Sequence, residues 1–400
     1  MLKNQSDHPV KTGLDCLIED DFAAIAGARV GAIVNQTSVD RGLHHLADVL
    51  LRTSKAKLAA LFGPEHGVRG ELQDMIGASS TVDRSTGVVV HSLYGSHYES
   101  LTPSGDMLEG LDALVFDIQD VGSRYYTFAA TMRYAMIAAA RRRIAFVVLD
   151  RPNPIDGTTI EGPTIAAGYS SFVGATSTPI RHGLTVGEIA KLIQIELDLD
   201  LNLTVIPCTG WSRSMRFEAT GLPWVQPSPN MPTPATALVY PGGCLIEGTN
   251  LSEGRGTTRP FELWGAPWLD PERLARDAND LGLPGVRFRS ATFRPMFHKH
   301  AGLVCGGAAP HVIDSRAFRP VETYTALIAL ARRCDPDRFA WRTEPYEFVA
   351  DPIAIDLLYG SSRERTLIEQ GVDHRVIAAC WRDDEAEFAA KRKEILIYCD

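Results

Sequence analysis

The chain reads as an α/β protein: a domain built on a parallel sheet over residues 11–265, followed by a smaller α/β domain over 266–400. Three observations predict this. The first 150 residues alternate short β-rich apolar runs with helical stretches, the pattern of strands joined by right-handed helical crossovers. Four hundred residues are more than one core usually organises. Between two alternating halves lies a Pro/Gly-rich stretch, residues 221–265, with 7 of the 24 prolines. A stretch that long without periodicity is a functional segment or a connector.

Each element has a local cause. Ala28–Val34 is an apolar, β-branched run and reads as a strand; His44–Leu51 follows as a helix. Lys57–Phe62 and Gly87–Leu93 read as the second and third strands, and Met107–Leu111 as a short helix. Asp112–Ile118 is apolar without alternation, as expected of a strand buried on both faces. Phe128–Arg142 is an Ala/Met-rich helix closed by basic residues, which suit the negative end of the helix dipole. Ile144–Leu149 is a fifth strand and Leu203–Ile206 a further one. Thr185 and Glu188 have capping-box spacing ahead of a helix reaching Ile195. In the second half, Asp270 caps a helix over Pro271–Leu281, and Val321–Arg333 is another. Val286–Arg289 and Val312–Ile313 read as short strands, and the last thirty residues as mostly helical.

Composition narrows the function. Forty Lys and Arg against 49 Asp and Glu give a net charge of -9. This disfavours nucleic acid or an anionic membrane as partner, since both need a positive face. No apolar run approaches the roughly 18–20 residues of a membrane span. Met1–Val10 is polar, with no apolar core of a secretory signal, so a cytoplasmic location is expected. The seven cysteines are scattered, none at C-x-x-C spacing, which fits a reducing compartment. No nucleotide-binding loop, serine-hydrolase elbow or zinc-protease motif occurs, so activity without metal or cofactor is expected. His298 and His300 are spaced as a metal pair could be, but lack neighbouring carboxylates.

In an open parallel sheet, ligands bind beyond the carboxyl ends of the strands. Four strand exits carry polar groups fixed by Gly or Pro: Asn35-Gln36-Thr37, Gly63-Pro64-Glu65-His66-Gly67, Gln119-Asp120-Val121-Gly122-Ser123-Arg124-Tyr125-Tyr126 and Asp150-Arg151-Pro152-Asn153-Pro154. Topology brings those ends to one rim. Glu65, held between Pro64 and His66 in a Gly-bounded turn, is the leading acid/base candidate. His66 stays open between a second catalytic group, a ligand to hydroxyls and a turn-stabilising residue. One of Asp117 and Asp120 is expected to face the cleft. Arg124 with Tyr125 and Tyr126 has the make-up of a clamp, a guanidinium for a carboxylate and aromatics for a ring face. Asn153 offers both donor and acceptor. The central stretch adds Asn230, Glu247, Glu253 and Arg255 beside glycines that let a ligand approach the backbone.

These motifs, with Ser92-Leu93-Tyr94-Gly95, Glu161-Gly162-Pro163, Pro227-Ser228-Pro229-Asn230-Met231-Pro232 and Glu253-Gly254-Arg255-Gly256-Thr257-Thr258, resemble the exo-β-N-acetylmuramidases of the NamZ type, long grouped as a domain of unknown function. The likeness runs from about Gly13 to the C-terminus. It implies a Rossmann-like N-terminal domain, a smaller C-terminal one and an active site in the cleft between them. It also implies exo-acting removal of N-acetylmuramic acid from peptide-free peptidoglycan fragments, as in bacterial cell-wall recycling, with Glu65 catalytic. Many such proteins look exported, whereas this chain shows no signal. Glycoside hydrolysis calls for a second carboxyl group. Glu161 is the first choice for it, with Asp120, Glu247 and Glu253 as rivals. The 2-acetamido group of the sugar itself is a further alternative as nucleophile. The lactyl carboxylate of muramic acid calls for an arginine, Arg124 or Arg255. Two other functions remain: a divalent-ion hydrolase acting on phosphates or carboxylates through Asp117 and Asp120, and a muramyl-sugar binding protein without catalysis.

Overall fold

The computed structural model describes residues 9–70 and 81–399; the first eight residues of the polar Met1–Val10 segment lie outside them. Seven strands form the main sheet: β1 (Arg29–Val34), β2 (Lys57–Gly63), β3 (Thr81–Val82), β4 (Val89–Ser92), β5 (Ala113–Asp117), β6 (Ala145–Leu149) and β7 (Leu203–Ile206). Their order is β3-β4-β2-β1-β5-β6-β7. All neighbours run parallel except the two-residue edge strand β3, which is antiparallel to β4. The chain builds outward from β1 through β2 to β4, then returns to β5 and builds the other way. Without β3 this is the doubly wound order of dinucleotide-binding sheets, with its switch point between β1 and β5.

The sheet forms where the sequence leaves strands no exposed face. All five residues of β5 are buried, and all of β1 but Arg29. Each such apolar side chain contributes roughly 1.5–3 kcal/mol on burial. Thr185 and Glu188 form the expected capping box of the Val186–Glu196 helix. Asp150, at the exit of β6, adds to that helix start: its carboxylate accepts from the Gly187 amide at 2.8 Å, the Thr185 hydroxyl at 2.8 Å and the Tyr398 hydroxyl at 2.5 Å. Burial pushes the Asp150 carboxyl up to about 6 against these donors.

The second sheet is antiparallel, in the order β8-β10-β9, with β8 (Trp264–Ala266), β9 (Val286–Phe293) and β10 (Cys305–Val312). Asp270 caps the Pro271–Asp280 helix by accepting from the amides of Glu272 and Arg273. Two readings from sequence fall short here. Val312 is only the last residue of β10 and Ile313 lies beyond it; the body of the strand reads Cys-Gly-Gly-Ala-Ala-Pro and lacks β-branched residues. Its glycines serve a close approach: a Cβ on Gly307 would lie 2.0 Å from the Trp264 carbonyl oxygen. Pro310 is tolerated because β10 pairs with β8 only over Gly306–Ala308, so at Pro310 one side carries no partner strand. Within the stretch read as irregular, Pro234–Gly243 is a helix. Thr233 caps it and Pro234 starts it, but the internal Pro241-Gly242-Gly243 resembles a terminator. Gly242 is needed there, because a Cβ would meet the Pro320 carbonyl oxygen at 2.0 Å. One apolar cluster spans both sheets, from Phe62 and Phe116 through Tyr240 and Trp264 to Leu327 and Trp381.

Candidate active site

Two recesses compete for the site. The first lies at the switch point, encloses ≈ 340 Å³ and is lined by Thr37, Asp40, Gln119, Arg151 and Trp224 among others. Its polar groups serve one another. The Arg151 guanidinium grips Asp117 through two bonds, at 2.6 and 3.0 Å, and Asp40 pairs with His44 at 2.9 Å. Thr37 donates to the Asn35 carboxamide oxygen at 2.6 Å and accepts from the Gln119 amide at 2.9 Å.

The second recess opens beyond β2, encloses ≈ 540 Å³ and gathers Glu65, His66, Tyr125, Tyr126, Asn230, Glu247, Arg255, Tyr346 and Glu347 from both halves of the chain. Glu65 reaches it because β2 ends in a tight turn, closed by the Gly67 amide on the Pro64 carbonyl at 3.0 Å. His66 takes φ 72° and Gly67 φ 81°, left-handed backbone that costs a non-glycine residue about 1–2 kcal/mol. Such strain persists where the surroundings hold it. The Glu65 carboxylate is 5% exposed and accepts from the Thr127 hydroxyl at 2.8 Å, at the start of the Phe128–Arg142 helix. Glu247 sits opposite in kind. It pairs with Arg255 at 2.7 Å and accepts from the Tyr346 hydroxyl at 2.8 Å. Tyr94 donates to Glu347 at 3.0 Å. Among the described lining residues, Arg255 and His66 are the basic side chains. Arg255 is held between Glu247 and Glu253, with its guanidinium over the Phe261 ring.

A third cavity, ≈ 1200 Å³, adjoins this one. Glu247 and Arg255 line both.

Of the residues singled out from sequence, Glu65, His66, Tyr125, Tyr126, Asn230, Arg255 and the rival Glu247 line the 540 Å³ cavity. The others are placed elsewhere. Arg124 is not a clamp on this cavity. Its guanidinium is buried and donates to four carbonyls, of Pro163, Thr178, Leu358 and Tyr359. Glu161 lies in a separate groove with Arg319, Glu322 and Arg382, where it accepts from the Glu322 amide at 2.9 Å. It thus caps the Pro320–Cys334 helix, whose own N-cap, Arg319, provides no side-chain bond. Asn35 shapes the cavity indirectly: its amide reaches the Pro227 carbonyl at 3.5 Å, as Gln36 reaches that of Gln226 at 2.8 Å, pinning the segment that carries Asn230. Asn153 fixes its own Pro-rich turn through Ile155 and Leu184. Asp120 accepts from the Gly122 amide at 2.6 Å, and burial pushes its carboxyl up to about 7. Glu253 joins Lys299 at 2.9 Å and Arg255 at 3.5 Å; burial raises its carboxyl, but these cations outweigh it and hold it below the usual range. Both oxygens of Asp117 accept from Arg151, so Asp117 and Asp120 form no shared ligand set. Among the described residues no group of three or more His, Cys, Asp or Glu could hold a metal ion. Sequence reasoning missed Thr127, Ser228, Tyr346 and Glu347.

Burial pushes the Glu161 carboxyl up to about 7 from an ordinary 4.5. Its folded value lies above its unfolded one, so ionisation destabilises the fold as pH rises from about 4.5 to about 7. The difference corresponds to a cost on the order of 3 kcal/mol. Glu161→Gln keeps an acceptor for the Glu322 amide and removes the charge. The variant is expected to lose much of the wild-type decline in stability across that window, read by denaturant unfolding at pH 5 and pH 8. Identical pH slopes would show that Glu161 carries no such cost.

The chain matches two family models, exo-β-N-acetylmuramidase NamZ, N-terminal, over residues 30–235, and exo-β-N-acetylmuramidase NamZ, C-terminal, over residues 238–398. It is 45% identical over 389 residues to the peptidoglycan β-N-acetylmuramidase NamZ of Bacillus subtilis strain 168, covering 97% of this chain and 91% of that one. Two crystal structures of DUF1343 family proteins from Bacteroides fragilis NCTC 9343 share the fold. One has a TM-score of 0.89 at 36% identity, covering 98% of this chain and 99% of the other. The second has a TM-score of 0.77 at 29% identity, covering 98% and 100%.

Proposed function

The chain belongs to the exo-β-N-acetylmuramidase NamZ family, and we propose that it carries out that hydrolysis in the 540 Å³ cavity with Glu65 and Glu247 as its two carboxyl groups. It is a glycoside hydrolase, an exo-acting muramidase of peptidoglycan-derived saccharides. The observation that carries the assignment is the meeting of two buried carboxyl groups in one cavity, Glu65 bonded to the Thr127 hydroxyl and Glu247 to Arg255 and Tyr346. Glu65 gives its proton to the glycosidic oxygen as the C1–O bond breaks, and water supplies the hydroxyl to C1 and a proton in return. Glu247, fixed by Arg255 and Tyr346, supplies the negative charge that the cationic sugar requires.

Muramic acid differs from glucosamine by its lactyl carboxylate. A protein of net charge -9 repels that group at long range, so a local cation must offset this. Arg255 is the guanidinium of the cavity. Its pairing with Glu247 orients it and cancels part of its attraction. The expected preference for a chromogenic muramic glycoside over its glucosamine counterpart is therefore about tenfold, near 1.4 kcal/mol, the low end for a hydrogen bond to a charged group. Arg255→Lys narrows that ratio, since an ammonium lacks the forked geometry. Equal wild-type rates on the two glycosides would leave a general hexosaminidase and remove the muramidase reading.

A further inference from the structure

The substrate of an exo-acting glycosidase continues past the bond that is cut. The continuation must cross the inner wall where another space begins. Glu247 and Arg255 form that wall, since both line the inner cavity and the adjoining one. The same chain segment also serves both: Tyr346 and Glu347 face inward, and Trp341, Arg342 and Thr343 line the outer space.

Resting on the muramidase reading above, we propose that the 1200 Å³ cavity is a second binding site, which holds the leaving saccharide over at least two sugars. Its lining matches that chemistry. Trp341 is half-buried, anchored by its indole N–H on Glu369 at 2.8 Å and packed edge-on to Phe339. A ring so fixed is an apolar platform for a sugar face. Lys299, Arg255 and Arg342 balance Glu247, Glu253 and Glu344 along the wall, beside His298 and His300. Lys299 is locked by the carbonyls of Ile246 and Leu251 and by Glu253, so it shapes the wall. Arg342 lies over the Tyr346 ring, at the joint between the two spaces. In a glycan of alternating glucosamine and muramic acid, the first leaving sugar is neutral and the second carries a lactyl carboxylate. An aromatic platform and a guanidinium in one cavity suit such a pair of sugars.

The test compares kcat/KM on a chromogenic muramic glycoside, a muramyl-glucosamine disaccharide and the corresponding tetrasaccharide. Wild type is expected to favour the tetrasaccharide over the disaccharide at least tenfold. Trp341→Ala and Arg342→Gln are each expected to reduce that ratio to below threefold. Each variant's rate on the chromogenic glycoside, which leaves the outer space without a sugar, serves as its own internal reference. Arg342→Gln keeps a polar side chain at a half-exposed position beside the Tyr346 ring, so a folding defect in Trp341→Ala does not decide the matter. A wild type indifferent to length overturns the second site. So does a length preference that survives both substitutions. Failure to turn over any of the three muramic substrates overturns the muramidase reading itself, and this inference with it.

Discussion

Glu65→Gln is expected to keep the fold and to lose at least about a hundredfold in kcat, the low end of what a positioned general acid contributes. The amide retains the shape of the side chain and an acceptor for the Thr127 hydroxyl. It cannot release a proton to the departing oxygen. The loss should fall on kcat rather than KM, because the side chain acts on the bond being broken and not on the rest of the sugar. A leaving group that departs without protonation, such as a nitrophenolate, should recover part of the rate. Near wild-type turnover of Glu65→Gln on a natural saccharide would remove Glu65 from the mechanism.

The largest expected loss of stability comes from Arg151→Ala. Asp117 ends β5 fully buried, and burial pushes its carboxyl up while Arg151 pulls it back down. Removing one member of such a pair leaves an uncompensated buried charge, which costs about 3–5 kcal/mol. That is a large share of the roughly 5–15 kcal/mol that keeps a protein folded. Without Arg151 the carboxyl stays buried most readily when neutral, so stability should fall further as pH rises. The double variant Asp117→Asn/Arg151→Met, with no charge left to bury, is expected to regain part of the loss. Urea midpoints for the three proteins decide it; a loss below about 1 kcal/mol for Arg151→Ala would mean that water reaches Asp117.

Much of the first sheet was legible because physics at each strand is local. Ala113–Asp117 could be read from an apolar run alone, and the helix after Thr185 from two capping residues. The second sheet was harder, because Gly306 and Gly307 are chosen by backbone that lies far away in sequence, at Leu269 and Trp264, and show no alternation of their own. In the site, Glu65 and His66 were visible as polar groups on a fixed strand exit. Arg124 was misread because an arginine at a rim has the same sequence signature whether it faces a ligand or four carbonyls. Glu161 was misread for a similar reason: it caps the helix that starts at Pro320, by accepting from the amide of Glu322, 161 residues further on. Tyr346 and Glu347 gave no local sign at all. Glu347 has φ 45° and Phe348 φ 69°, conformations that only the surrounding fold selects.

The buried Arg124 has a consequence for how the molecule comes apart. Its four carbonyls come in two pairs, Pro163 and Thr178 from the first half of the chain, Leu358 and Tyr359 from the second. If the second half melted alone, the guanidinium would keep half its acceptors, and Glu161 would lose the amide that it caps. Orphaned buried groups of this kind cost about 1–3 kcal/mol each, and more when charged. A half-melted species is thus disfavoured beyond the apolar area it would expose. The two sheets are fastened into one cooperative unit, and the partly open form most exposed to proteolysis and self-association is kept rare.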